Sequence, residues 1–131
     1  MSRENHERGA AAVEFALVVP VLIFLVFGIA EFGRAYHLQT TLSAAARDGV
    51  RVMALQDDPA AAREAVRASA GALAPALTDE QIKVTPTTCA ATGTTPAGTA
   101  LVSVTYEMDF ITGLFDAGVT LTGKGTMRCN G

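Results

Sequence analysis

Phe15 to Ala30 is a run of 16 residues without a charge, and Glu14 stands directly before it, behind apolar Ala10 to Val13. At about 1.5 Å per residue a helix over that run reaches roughly 24 Å, short of the roughly 30 Å hydrocarbon core of a bilayer. Counted from Ala10 to Ala30 the segment has 21 residues, and its length becomes roughly 31 Å. The segment therefore matches a membrane only when Glu14 lies inside it or at its edge. An ionised carboxylate at a helix centre costs about 2.5–3.5 kcal/mol on insertion scales and less toward the interface. Glu14 either marks the headgroup boundary or meets a cation. Pro20, inside the run, is read as a bend that membrane helices tolerate.

A cation is available on paper. Cleavage after Gly9 would leave Ala10 with a protonated amine, and Glu14 would become the fifth residue, one helical turn away. Between chains staggered along their axes, the Glu14 of one reaches the amine of another. In low dielectric such a pair selects its register, because a slipped register strands two charges.

The stretch GAAAVEF, with Gly9 before the cut, Glu14 fifth and Phe15 sixth after it, resembles the processing site of type IV pilin-like proteins. The longer RGAAAVEFALVVPVLIFLVFGIAEFGRAY, with AAARDGVR and the terminal TMRC, resembles TadE-like pseudopilins of the tight-adherence (Flp) pilus system. The resemblance implies cleavage between Gly9 and Ala10 by a membrane-embedded prepilin peptidase, glycine admitting an extended backbone to a narrow cleft. It implies register-setting by Glu14 and Phe15, and partners among other pilin-like subunits, the major pilin, the inner-membrane assembly platform and the lipid bilayer. It places the N-terminus in the bacterial cytoplasm and the C-terminal part in the periplasm or an extracellular pilus. Arginines flank both sides of the span (Arg3 and Arg8, Arg34 and Arg47), so charge alone gives orientation little support. Two other readings stay open: an uncleaved single-pass anchor carrying a periplasmic scaffold or binding domain, and a secretory signal cut after Gly28-Ile29-Ala30.

Beyond the membrane, Leu38, Leu42, Ala45, Gly49 and Val52 recur at spacings of three and four, which extends one helix from about Ala10 to about Leu55. The small residues of SAAARDG make its face shallow and let something pack close, the protein's own sheet before a partner helix. Asp58 as N-cap and Pro59 as first residue open a second helix to about Ala74. From Ile82 the texture turns β-branched: IKVTPTTC, ALVSVTYEMDF and GVTLTGKGTMRC alternate with period two. Val102, Val104, Tyr106 and Met108 form an inner face, and Pro86 makes the first strand short or an edge. ATGTTPAG is a surface loop. In FITGLFDAG, Phe110, Ile111, Leu114 and Phe115 form either core cover or an exposed patch.

The expected fold is α+β: a long N-terminal helix, transmembrane in its first half, a second short helix, and a small three-stranded antiparallel sheet packed on both. The division is a leader over 1–9, the long helix over 10–55 with its membrane segment at about 10–30, and a head over 56–131. In an oxidising periplasm Cys89 and Cys129 are expected to pair, joining the ends of the first and last strands. A zinc site is the poorer reading, since His6 and His37 lie outside any ligand spacing. No metal or other cofactor is expected. A formal net charge of -3 without a basic cluster argues against nucleic acid. No nucleophile–base pair points to an enzyme.

Overall fold

The computed structural model describes residues 2–71, 73, 76–85, 88–90, 98–111, 113 and 118–129. Its elements in chain order are α1 (Ser2–Gln56), α2 (Pro59–Ser69), β1 (Ile82–Thr85), β2 (Thr99–Asp109) and β3 (Gly118–Arg128). The α+β architecture expected from the pattern is the one observed, with antiparallel strands in the order β1-β2-β3. The chain divides into two compact units, Met1–Arg34 and Ala35–Gly131, and α1 contributes to both.

The first unit is helical throughout its described length. Helical hydrogen bonding begins at Ser2, ahead of the expected start near Ala10, and continues through Pro20. The polar leader SRENHER contains no helix breaker before Gly9, so nothing in it stops the helix from extending backward. The apolar side chains lie open: Phe15 is 70% exposed and Leu17 69%. By length and composition this helix can cross a membrane, and none of its most apolar window is covered by the fold. A polypeptide that leaves such a surface bare in water would aggregate; lipid or neighbouring helices are its natural solvent.

The second unit has its core where the rest of α1 meets α2 and the sheet. Leu42, Ala45, Ala46, Val50 and Met53 of α1 are buried with Ala62 and Val66 of α2 and with Ile82, Val102, Val104 and Met108 of the sheet. The buried face of α1 is wider than the stripe read from spacing: Ala46, Val50, Met53 and Ala54 belong to it, whereas Val52 is only half-buried. The reason is that α1 packs on two elements, so its covered arc exceeds one heptad stripe.

Two glycines on β3 set how closely the sheet and helix meet. Gly123 and Gly125 lie opposite Val104 and Val102, on the inner face. A Cβ at Gly123 would sit 2.4 Å from the carbonyl carbon of Leu42, and one at Gly125 would sit 2.7 Å from the Ala46 carbonyl oxygen. The helix backbone thus rests directly on the strand, a distance only glycine permits. Gly49 does the same for α2, where an added Cβ would meet Val66. The shallow face of SAAARDG is covered by the protein's own sheet and second helix.

At its start α2 follows the sequence: the Asp58 carboxylate accepts from the backbone N–H groups of Ala60 and Ala61 at 2.9 and 3.3 Å, with Pro59 behind it. Its end does not. The helix stops at Ser69 instead of about Ala74, because Gly71 offers a cheap exit and a turn closed by Leu73 N–H on Ala70 C=O follows at once. Arg67 then fastens the outgoing chain, donating to Leu77 C=O at 3.1 Å and pairing with Glu64 and Asp79.

β1 is the short edge strand, ending at Thr85 just before Pro86. Val102, Val104, Tyr106 and Met108 face inward as their alternation predicts. The apolar connection after β2 divides: Phe110 packs half-buried against the core, while Ile111 is 68% exposed. Leu114 and Phe115, and most of ATGTTPAG, lie outside the described residues.

Candidate functional site

The residues singled out for processing and register all lie on α1. Gly9, Ala10, Val13, Glu14 and Leu17 line one side of the helix together with His6. Spacings of three and four put them on that side. Gly9 and Ala10 carry almost no side chain, so the surface there is hollowed, with Glu14 one turn above. An added Cβ at Gly9 would meet nothing within 4 Å. The glycine is therefore not demanded by packing within this chain.

Helix length sets where the carboxylate would stand if the expected segment spans a bilayer. Four residues separate Ala10 from Glu14, about 6 Å along the axis. A span starting at Ala10 holds Glu14 a few ångströms inside the hydrocarbon boundary. There its solvation is already impaired and a cationic partner is worth more than in water. The side chain is exposed on the isolated helix and free to meet a group on another molecule. Phe15, beside it, presents its ring outward at 70% exposure.

Gly9 is helical, as are the residues on both sides of it. Glycine is about 1 kcal/mol less favourable than alanine in a helix interior, which makes this the weakest link in the segment Ser2–Val13.

The disulfide stands in the second unit. Cys89 and Cys129 are bonded, with 5.4 Å between their Cα atoms and a sequence separation of 40. Cys129 N–H also donates to Gly98 C=O at 2.9 Å, continuing the β2–β3 ladder up to the bridge. Among the described residues no three His, Cys, Asp or Glu side chains gather as a metal site would require.

One residue that matters here escapes the sequence reading. Asp57 ends α1 with a left-handed backbone, φ 52, its N–H donating to Met53 C=O at 3.0 Å. Its carboxylate accepts from the Thr88 hydroxyl at 3.0 Å and from the Cys89 backbone N–H. Asp57 thereby ties the C-terminus of α1 to the disulfide. In sequence it is only one of two adjacent aspartates in a helix break. The other missed feature, the Gly123-Lys124-Gly125 pair, did carry a signal: glycines two apart in a strand mark a close backbone approach.

Comparison with curated proteins returns no match, and comparison with solved structures returns none. The recognisable part of the chain is the apolar helix and its continuation into the core: residues 9–51, from the glycine at the expected cut through Arg51, match the family model of the TadE-like protein family.

Proposed function

We propose that the protein is a minor pilin-like subunit of a tight-adherence pilus, structural rather than catalytic. It is held in the inner membrane by α1, trimmed after Gly9, and packed with other pilin-like subunits through the exposed apolar face of that helix. The observation that carries the reading is the bare apolar segment with Glu14 near its head, inside the stretch that matches the TadE-like family. In this reading the Ala10 ammonium created by the peptidase pairs with Glu14 of a neighbouring subunit and fixes the axial stagger. The disulfide-closed head is displayed outside the membrane. Prepilin peptidase, the assembly platform and the major pilin are the partners.

Glu14→Gln and Glu14→Leu test it. Removing one member of a buried ion pair costs about 3–5 kcal/mol, and a pair near the interface retains part of that. Each 1.4 kcal/mol is tenfold in an equilibrium, so both variants are expected to lower incorporation into sheared pili by at least roughly tenfold. Membrane levels and processing should stay near those of the unaltered protein. Normal incorporation of both variants removes Glu14 from the mechanism. A second reading, an uncleaved single-pass anchor for a periplasmic scaffold or binding domain, is favoured by one observation: the leader and the apolar segment form one uninterrupted helix.

A further inference from the structure

We propose that the free edge of β3 over Lys124–Arg128 takes up an extended acidic segment of another polypeptide as a fourth strand. The site lies wholly within the unit Ala35–Gly131. β3 is the last strand in the order β1-β2-β3 and runs for 11 residues. The ladder fixes which of its main-chain groups face outward. Thr105 N–H donates to Gln81 C=O on the β1 side at 2.9 Å, so Thr105 turns its main chain away from β3. Opposed residues of an antiparallel pair either exchange both their hydrogen bonds or make none. Thr122, opposite Thr105, therefore directs its N–H and C=O outward, and by alternation so do Lys124, Thr126 and Arg128. The bond that Thr122 C=O accepts from Gln39 Nε2 at 2.8 Å agrees with this.

The two edges of the sheet differ. β1 has only four residues, and Arg63 Nε donates at 3.5 Å to Ile82 C=O on its outer side. On β3 the Gln39 amide covers the Thr122 carbonyl. Among the described residues no hydrogen-bond partner stands against the outward main-chain groups of Lys124, Thr126 and Arg128. Such a row of bare N–H and C=O groups is a template for pairing with another chain.

Charge selects the occupant. Lys124 and Arg128 are exposed on the outer face of the sheet, about 13 Å apart along the strand. α1 supplies two more cations beside the same edge. Gln39, Ser43, Arg47 and Arg51 follow one another at intervals of four, so they share a side of the helix, and the Gln39 bond marks that side as the one at the edge. The backbone N of Arg47 lies 3.0 Å from where a Cβ on Gly125 would stand. Asp48, the acid next to Arg47, is turned instead to α2, where it accepts from the Ser69 hydroxyl at 2.7 Å. Among the described residues none of Arg47, Arg51, Lys124 and Arg128 is in an ion pair. In a chain of net charge -3, exposed cations thus flank an open strand edge on both sides. Carboxylates alternating along an added strand would meet Lys124 and Arg128 as cross-strand neighbours, an arrangement that stabilises, whereas like charges there repel. A second copy of the chain does not fit, because both its edge strands, β1 with Lys83 and β3 with Lys124 and Arg128, carry bases and no acid.

The test uses the full chain in uncharged detergent micelles and a short N-acetylated peptide of alternating glutamate and threonine, read by fluorescence anisotropy and amide hydrogen exchange. The peptide is expected to bind at least about tenfold more tightly than its glutamine counterpart at low salt, an advantage that added salt removes. It should slow exchange of the outward amides of Lys124, Thr126 and Arg128. Thr126→Pro separates strand pairing from charge attraction: it removes an outward N–H, keeps every cation and spares the β2–β3 ladder, as an edge position allows. Loss of that bond should weaken binding by about fivefold. A peptide N-methylated at alternate residues makes the same comparison on the unaltered protein and should be weakened at least as much. Lys124→Glu should bring the glutamate peptide down to the level of the glutamine one. Equal binding of the glutamate and glutamine peptides, or binding indifferent to N-methylation, would overturn the proposal. Protection of the same amides that rises with protein concentration in the absence of peptide would assign the edge to a second copy and overturn it as well. Protection by phosphatidylglycerol vesicles but not by the peptide would assign the cations to a lipid surface, with the same consequence.

Discussion

Replacing Gly123 with alanine should be the most damaging single-methyl change in the second unit. The new Cβ would lie 2.4 Å from both the carbonyl carbon and the carbonyl oxygen of Leu42, and 2.7 Å from Ser43 N. Non-bonded carbons settle at about 3.5–4.0 Å, so strand and helix must separate by roughly 1 Å along the contact. The obstructing atoms are backbone inside a hydrogen-bonded helix, which no rotamer change can move. Overpacking of this kind costs typically 1–3 kcal/mol, and this site belongs at the upper end. Against it stands a gain of about 0.4–1 kcal/mol from restricting the unfolded chain, leaving a net loss of about 2 kcal/mol. For a domain of 60–100 residues each kilocalorie moves the midpoint by about 4–8 °C, so Gly123→Ala should melt about 8–16 °C below the unaltered protein. The assay is thermal unfolding of the full chain in detergent micelles with the disulfide intact, followed by near-ultraviolet circular dichroism of buried Tyr106. Gly98→Ala is the control, since a Cβ there meets nothing within 4 Å. A Gly123→Ala midpoint within about 2 °C of the control would refute the close packing of α1 on β3.

Other perturbations address the far end of the unit. Cys129→Ser opens a loop spanning 40 residues, which in the chain-entropy model is worth about 4 kcal/mol; the melting midpoint should fall steeply, and thiol reduction of the unaltered protein should reproduce the fall. An unchanged midpoint would show the bridge to be dispensable. Asp57→Ala strips the acceptor from Thr88 and Cys89 and should lower stability by about 1–3 kcal/mol in denaturant titration. Asp57→Asn keeps one carbonyl oxygen there and should lose clearly less; equal losses would mean that the backbone conformation of Asp57, not its carboxylate, matters.

The parts of the molecule legible from sequence are those governed by local pattern. A long uncharged run can only be a buried or membrane helix, and period-two alternation at Val102, Val104, Tyr106 and Met108 already names the inner face of β2. Asp58 and Pro59 announce α2 because capping is settled within one turn of chain. What stayed hidden depends on distant partners. The width of the α1 face follows from two elements packing on it, the early stop of α2 from a turn that feeds Arg67 and Leu77, and the role of Asp57 from Cys89 lying beside it. The position of Glu14 within the apolar segment is readable from length arithmetic alone. The cation proposed for it is not, because in that reading it is carried by another molecule.

The central claim is that a peptidase exposes the Ala10 ammonium for Glu14 to meet. Intact mass and N-terminal sequence of the protein isolated from membranes of its native host test this most directly. A mature chain beginning at Ala10, with the leader through Gly9 removed, is the predicted result. A chain still carrying Ser2 through Gly9, or one beginning at Glu31, would contradict it.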